Sequence, residues 1–181
     1  MISKEELCCY LPWGVKVVAV DLGQFEDGIW DLNSVRMSTD EVDIDDEFWV
    51  EINQISMILH PLSDLTKPIT VSGYNDGEEF VPILELAKIL GINNVNLFEC
   101  DGVDIYGWNE ECFVSGEITE FALGWDAKSK KLAVYDTEPG DNPLWDYASY
   151  EMFQLLFQWH FDIFGLIERG DAVDINTLEQ K

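Results

Sequence analysis

Carboxylates are the residues of this chain best placed to do chemistry, and they crowd most densely into Ser38 to Glu47, STDEVDIDDE, which holds Asp40, Glu41, Asp43, Asp45, Asp46 and Glu47. Alternate acids at Asp43, Asp45 and Glu47 could converge on a hard cation such as calcium, which takes oxygen ligands. The spacing fails the calcium-loop pattern. Counted from Asp40, Asp43 or Asp45, no glycine stands at the sixth position, where that loop turns sharply. A solvated acidic face is the better reading, and no metal is assigned. Asp76, Glu78 and Glu79 form a second, smaller acidic cluster beside the loop Ser72 to Gly77.

Other reactive groups are sparse. The cysteines are Cys8, Cys9, Cys100 and Cys112, with no CxxC pair, and the histidines are His60 and His160. None of the non-adjacent ones has zinc-ligand spacing. GxSxG, HExxH and GxxxxGK[ST] are all absent, which removes support for nucleophilic, zinc-hydrolytic and phosphate-loop enzymes. With 36 acids some carboxylates must lie close in space, so proximity alone says little about acid–base catalysis. His160 falls at the margin of an apolar helical arc, where a hydrogen-bonded core-edge role is expected. No catalytic residue and no cofactor is assigned.

The seven tryptophans could offer a stacking platform for a base or sugar. Most fall on period-two or helical apolar positions, where core packing explains them. Trp13 and Trp108, beside glycines, are expected to be the exposed ones and are the candidate ligand aromatics.

Charge bounds the partners. Ten Lys and Arg against 36 Asp and Glu leave a net charge of −26, which repels nucleic-acid phosphates and anionic membranes. Direct nucleic-acid and membrane binding are therefore not expected; basic protein surfaces, cationic ligands or metal ions are. Apolar residues make up 47% of the chain, so a folded core carries the charge. The cysteine usage, the lack of a secretory leader and the lack of a long uncharged apolar run imply a cytoplasmic protein.

The elements that must position these residues follow from periodicity. Ser3 is placed to cap a helix over Glu5 to Tyr10 that Pro12 ends. Val15 to Asp21 and Ile29 to Met37 predict a hairpin, and Ser38 to Glu47 a solvated connection or an irregular edge strand. Phe48 to His60 reads as one strand, and Glu78 to Leu90 as an amphipathic helix with Pro82 in its first turn. A meander is predicted over Val95 to Glu99, Val103 to Trp108, Cys112 to Glu117, Glu120 to Trp125 and Lys131 to Asp136. Pro143 to Arg169 has the longest helical pattern and the densest apolar load. The tail from Asp171 alternates weakly, as a surface or fraying segment would. The whole predicts one α+β domain over 1–181, a mainly antiparallel sheet packed against a long C-terminal helix and a second amphipathic helix.

The blocks CCYLPWGVKV, ILHPLSDLTKPI, FVPILELAKI and LLFQWHFDIFGLIERGDAVDINTL resemble a group of uncharacterised proteins of gut Bacteroidota phages and prophages, and the likeness runs almost end to end. The resemblance implies a phage or mobile-element origin and a host-cytoplasm location, and it transfers no catalytic residue. Joined to the charge, it leads to the expectation of a non-enzymatic accessory protein that binds a basic surface of a host protein, as an inhibitor or nucleic-acid mimic. The alternatives are a small-ligand-binding or sequestering protein with an aromatic pocket between sheet and helix, and a metal-dependent hydrolase using clustered carboxylates. Oligomeric state is not legible in the sequence.

Overall fold

The computed structural model describes residues 1–20, 28–36, 38–44, 48–89, 96–100, 103–107, 121–126, 131–136 and 149–178, with backbone alone for Phe48 and for the strands between 96 and 136. The fold is α+β. By its contacts the chain groups into two compact units, Met1–Pro61 with Leu156–Lys181, and Leu62–Leu155.

The first unit begins with helix α1, Lys4–Tyr10, which a full capping box starts: the Glu6 N–H donates to the Ser3 Oγ at 3.2 Å, and the Ser3 N–H to Glu6 Oε2 at 2.9 Å. A 3-10 turn over Leu11–Trp13 takes in Pro12 and closes at Gly14, whose φ of 68° is the left-handed conformation glycine adopts without strain. Strands β1 (Lys16–Ala19) and β2 (Gly28–Val35) then form the expected antiparallel pair, with Val17 opposite Trp30.

The acidic stretch departs from expectation. Its middle is neither a connection nor an edge: Glu41–Ile44 is strand β3, lying between β2 and β4 (Phe48–Glu51). Val42 and Ile44 explain this, because they alternate with the acids and both are 0% exposed. Burying each stabilises the unit by about 1.5–3 kcal/mol, enough to order a strand whose other face is charged. Phe48 to His60 is likewise two strands rather than one. A 3-10 turn over Ile52–Gln54 separates β4 from β5 (Ile55–Leu59), and β5 returns to pair with β1 on its other side.

The C-terminal tail completes this sheet instead of fraying. Strand β10, Ala172–Asp174, pairs parallel to β5, giving the mixed order β10-β5-β1-β2-β3-β4. Leu7, Tyr10, Val17, Leu32, Met57 and Leu166 are among the residues that fill the core behind it.

In the second unit, β6 (Asn96–Cys100), β7 (Val103–Gly107), β8 (Phe121–Asp126) and β9 (Lys131–Asp136) form a four-stranded antiparallel sheet in sequence order. The strand expected over Cys112 to Glu117 lies outside the described residues. Helix α2, Pro82–Ile89, rests on β7 and β8 and buries Ile83, Leu86 and Ala87. It starts later than expected because Phe80 is bridged to Ile69, which ties the preceding residues in extended form.

The long helix expected over Pro143 to Arg169 is interrupted, and its first part, Pro143 to Ala148, lies outside the described residues. Helix α3 runs Tyr150–Gln158; helix α4, Leu166–Arg169, is a separate turn, and α5, Ile175–Leu178, follows β10. The break is a Schellman closure: the Phe161 N–H reaches back to the Leu156 carbonyl at 2.9 Å and the His160 N–H to that of Phe157 at 3.0 Å. His160 takes the left-handed position with φ 57°, a place usually filled by glycine. The backbone groups beyond the break find other partners. The Asp162 carboxylate accepts from the Leu166 and Ile167 N–H groups at 2.7 and 2.9 Å, while His60 and Phe161 form a parallel bridge.

Candidate functional site

The acids of β3 sort by the strand's period of two. Val42 and Ile44 face the core, so Glu41 and Asp43 lie on the opposite face. Across the ladder Glu41 stands opposite Glu51 and Asp43 opposite Trp49, which places Glu51 and Trp49 on that same face. Trp49 is 41% exposed, and the Arg36 guanidinium sits 4.0 Å from its ring centroid as a cation–π pair. Arg36 Nη1 also donates to Glu41 Oε2 at 2.6 Å, and the Thr39 hydroxyl donates to the same oxygen at 2.9 Å. The result is an acidic patch around a partly exposed indole that one arginine holds in place.

Beyond Glu51 the patch opens into a cleft of about 410 Å³ lined by Asp40, Glu41, Glu51, Thr39, Ile52 and Asn53, together with Met1. Asp40 lies largely in solvent and contacts Lys4 Nζ at 3.0 Å. Three carboxylates share the cleft with the apolar Met1 and Ile52, and it has no aromatic wall. Among the described residues, no group of three His, Cys, Asp or Glu is placed to hold a metal ion.

Of the acids singled out in the sequence, Glu41 and Asp43 are thus brought onto one face and Asp40 joins Glu41 in lining the cleft, while Asp45, Asp46 and Glu47 lie outside the described residues. Asp76, Glu78 and Glu79 are exposed, but they belong to the other unit, on a loop whose Asn75 and Asp76 adopt φ of 49° and 53°. Trp108 lies outside the described residues. Trp13 is a half-buried residue rather than an exposed platform, and its carbonyl accepts from His160 Nε2 at 3.0 Å. That bond gives His160 the core-edge role expected of it.

Sequence reasoning missed Trp49, Glu51 and Arg36. The alternation V-D-I in β3, followed by F-W-V-E in β4, carried the signal: two adjacent strands of period two put their odd-numbered residues on one face. Cys9, the other group worth weighing as a reactive centre, is half-buried, and burial pushes its thiol up, away from the thiolate a nucleophile needs.

The sheet that carries the patch is tied shut by an ion network at the opposite end of its topology. Arg169 Nη1 and Nη2 donate to the two Glu6 oxygens at 2.9 and 3.1 Å, and its Nε to Asp171 at 3.1 Å. Arg169, helped by the Ser3 groups, holds the Glu6 carboxyl down at about 2, from an ordinary 4.5. Burial lowers His160 below its ordinary 6.5, because the charged imidazole is the form that desolvation penalises. Both shifts are depressions, so both contributions to stability are present at neutral pH and lost on acidification. Glu6→Gln is therefore expected to be less stable than the parent above pH 4.5, with the gap closing as pH falls from 4.5 toward 2. Thermal unfolding of the two proteins across that range measures it. Comparing two proteins of nearly equal charge cancels the relief of self-repulsion that acid brings to a chain this acidic.

No protein-family model, curated protein or solved structure matches the chain. Among the described residues no helix is long and apolar enough to cross a membrane.

Proposed function

We propose that this is a non-enzymatic accessory protein of phage or mobile-element origin that works in the host cytoplasm by binding a basic surface of a host protein. The patch on β3 and β4 is its contact face, and it acts as an inhibitor or by imitating the charge of nucleic acid. The observation that carries this reading is the placement of Glu41, Asp43 and Glu51 on one face around a partly exposed Trp49. An exposed aromatic ringed by charge has the anatomy of a protein-binding hot spot, with the anchor supplying affinity and the acids supplying steering and selectivity for Lys and Arg. Rigid spacing matters too: carboxylates on adjacent strands stand about 5 Å apart, close enough to compete jointly for a row of basic side chains. The small-ligand alternative is less well supported, since the cleft beside the patch lacks the aromatic lining it requires.

Capture from host lysate at low and high salt tests the proposal when run beside the triple variant Glu41→Gln, Asp43→Asn, Glu51→Gln. A basic-surfaced partner recovered by the parent at low salt, released by high salt and bound about 10–100-fold more weakly by the triple variant is the expected result. Equal recovery by parent and variant would refute the assignment to this face.

A further inference from the structure

β4 is the last strand of its sheet among the described residues, and its main chain has a definite phase. The Ile52 N–H donates to the Asp40 carbonyl at 2.8 Å, which marks Asp40 and Ile52 as a hydrogen-bonded pair of the antiparallel ladder. Such pairs alternate. Val42 with Val50 and Ile44 with Phe48 must then be hydrogen-bonded pairs, and Glu41 with Glu51 and Asp43 with Trp49 must not. The other side of β3 agrees: the Arg36 N–H donates to the Glu41 carbonyl at 3.0 Å, so Glu41 turns its main chain toward β2. Trp49 and Glu51 consequently direct their N–H and C=O groups away from β3, toward the edge that is open among the described residues.

At Glu51 that direction is visible, because its N–H is taken by Gln54 Oε1 at 2.9 Å and its carboxylate accepts from the Gln54 N–H. Gln54 thereby closes the edge at its C-terminal end. Among the described residues, Trp49 is left presenting both a donor and an acceptor, together with the Glu51 carbonyl.

We infer that this edge receives an extended, Lys- or Arg-bearing segment of the partner protein as an added strand. The inference rests on the acidic-face reading and specifies how that face is engaged. Charge decides the occupant: an incoming strand runs past Trp49 and Glu51 toward the cleft lined by Asp40, Glu41 and Glu51, a setting that favours cationic side chains. A second copy of this chain would bring its own net charge of −26 and another acidic edge, so self-pairing is opposed, which is how edge charges normally guard a sheet. In strand addition the main chain supplies affinity and alternate side chains supply selectivity. Here Trp49, steadied by Arg36, is the side-chain platform on the accessible face.

The test uses the whole chain and two synthetic peptides with alternating Lys and Thr, identical except that one is N-methylated on alternate amides along the edge that would pair. Their charge is equal, while only the unmodified peptide can donate to Trp49. Fluorescence anisotropy at low salt should show the N-methylated peptide binding about tenfold or more weakly. Trp49→Pro, which removes an N–H that does not serve the β3 ladder, should weaken the unmodified peptide further than Trp49→Ala does. Equal affinity for the two peptides would overturn strand addition while leaving charge recognition standing. No binding of either peptide would overturn both.

Discussion

Trp159→Ala is expected to lower the unfolding free energy by about 3–5 kcal/mol, the range for truncating a large, fully enclosed aromatic. Trp159 is 0% exposed and occupies the last position before the chain leaves helix α3 through His160. The indole is the largest fully buried side chain of the protein's described residues, and neighbours can collapse only partly into the volume it would vacate. A domain holds about 5–15 kcal/mol in total, so the loss takes a large share of the stability. Urea unfolding followed by circular dichroism measures it, with Gln158→Ala as a control on the same turn. A loss under about 1 kcal/mol would mean that the residue is not the buried anchor described above.

Asp162→Ala should rank second, at about 2–4 kcal/mol. Asp162 is 6% exposed, yet its carboxylate answers two backbone N–H groups that begin α4, and the positive end of that turn favours the charge. Alanine would leave both donors without that acceptor, the Leu166 N–H buried and the Ile167 N–H partly so. Asn keeps one acceptor oxygen, so Asp162→Asn is expected to retain about half of the lost stability. Equal losses for the two substitutions, read from the same urea curves, would show that side-chain volume rather than hydrogen bonding governs the site. The indirect consequence is also informative: the sheet holding the acidic patch includes β10, which follows directly from α4.

These two residues mark where the sequence is deceptive. From Pro143 to Arg169 the apolar spacing of one helix continues past Gln158, because Trp159, Ile163, Leu166 and Ile167 fall on its apolar arc. Periodicity records which side chains are buried, and it is blind to a single left-handed residue. His160 takes that conformation without the glycine that normally announces it, while Gly165, with φ 69°, announces a second break that an apolar pattern reads straight through. Asp162 is a buried cap, a role that helical spacing does not show.

Local chemistry was legible where it was self-contained. Ser3 with Glu6, the hairpin of β1 and β2, and the body of α2 all follow from caps, β-branched runs and helical spacing that need no distant partner. The acidic stretch was misleading for the opposite reason. Six carboxylates dominate STDEVDIDDE, whereas Val42 and Ile44 decide its structure, because burial outweighs propensity once β2 and β4 supply a core to face. Placing β10 parallel to β5 required knowing the tertiary arrangement, since a three-residue strand has almost no signal of its own.

The candidate site was only half readable for the same physical reason. Asp40, Glu41 and Asp43 are conspicuous by type, while Trp49 and Glu51 join them only through a cross-strand register that composition does not encode. Trp49 reads as one more core tryptophan in a segment rich in apolar residues. Its exposure follows from β4 being a separate short strand at the sheet edge, with Arg36 covering the ring.

The central claim, that the β3–β4 patch is the contact face, is most directly tested by backbone amide and indole shift mapping while an unmodified Lys/Thr peptide is titrated into the labelled protein at low salt. The account predicts that the largest changes fall on Trp49, its indole N–H, Val50, Glu51, Glu41 and Asp43, and that they collapse as salt is raised. Changes confined to Asp76, Glu78 and Glu79, or spread evenly over acidic residues without involving Trp49, would contradict it.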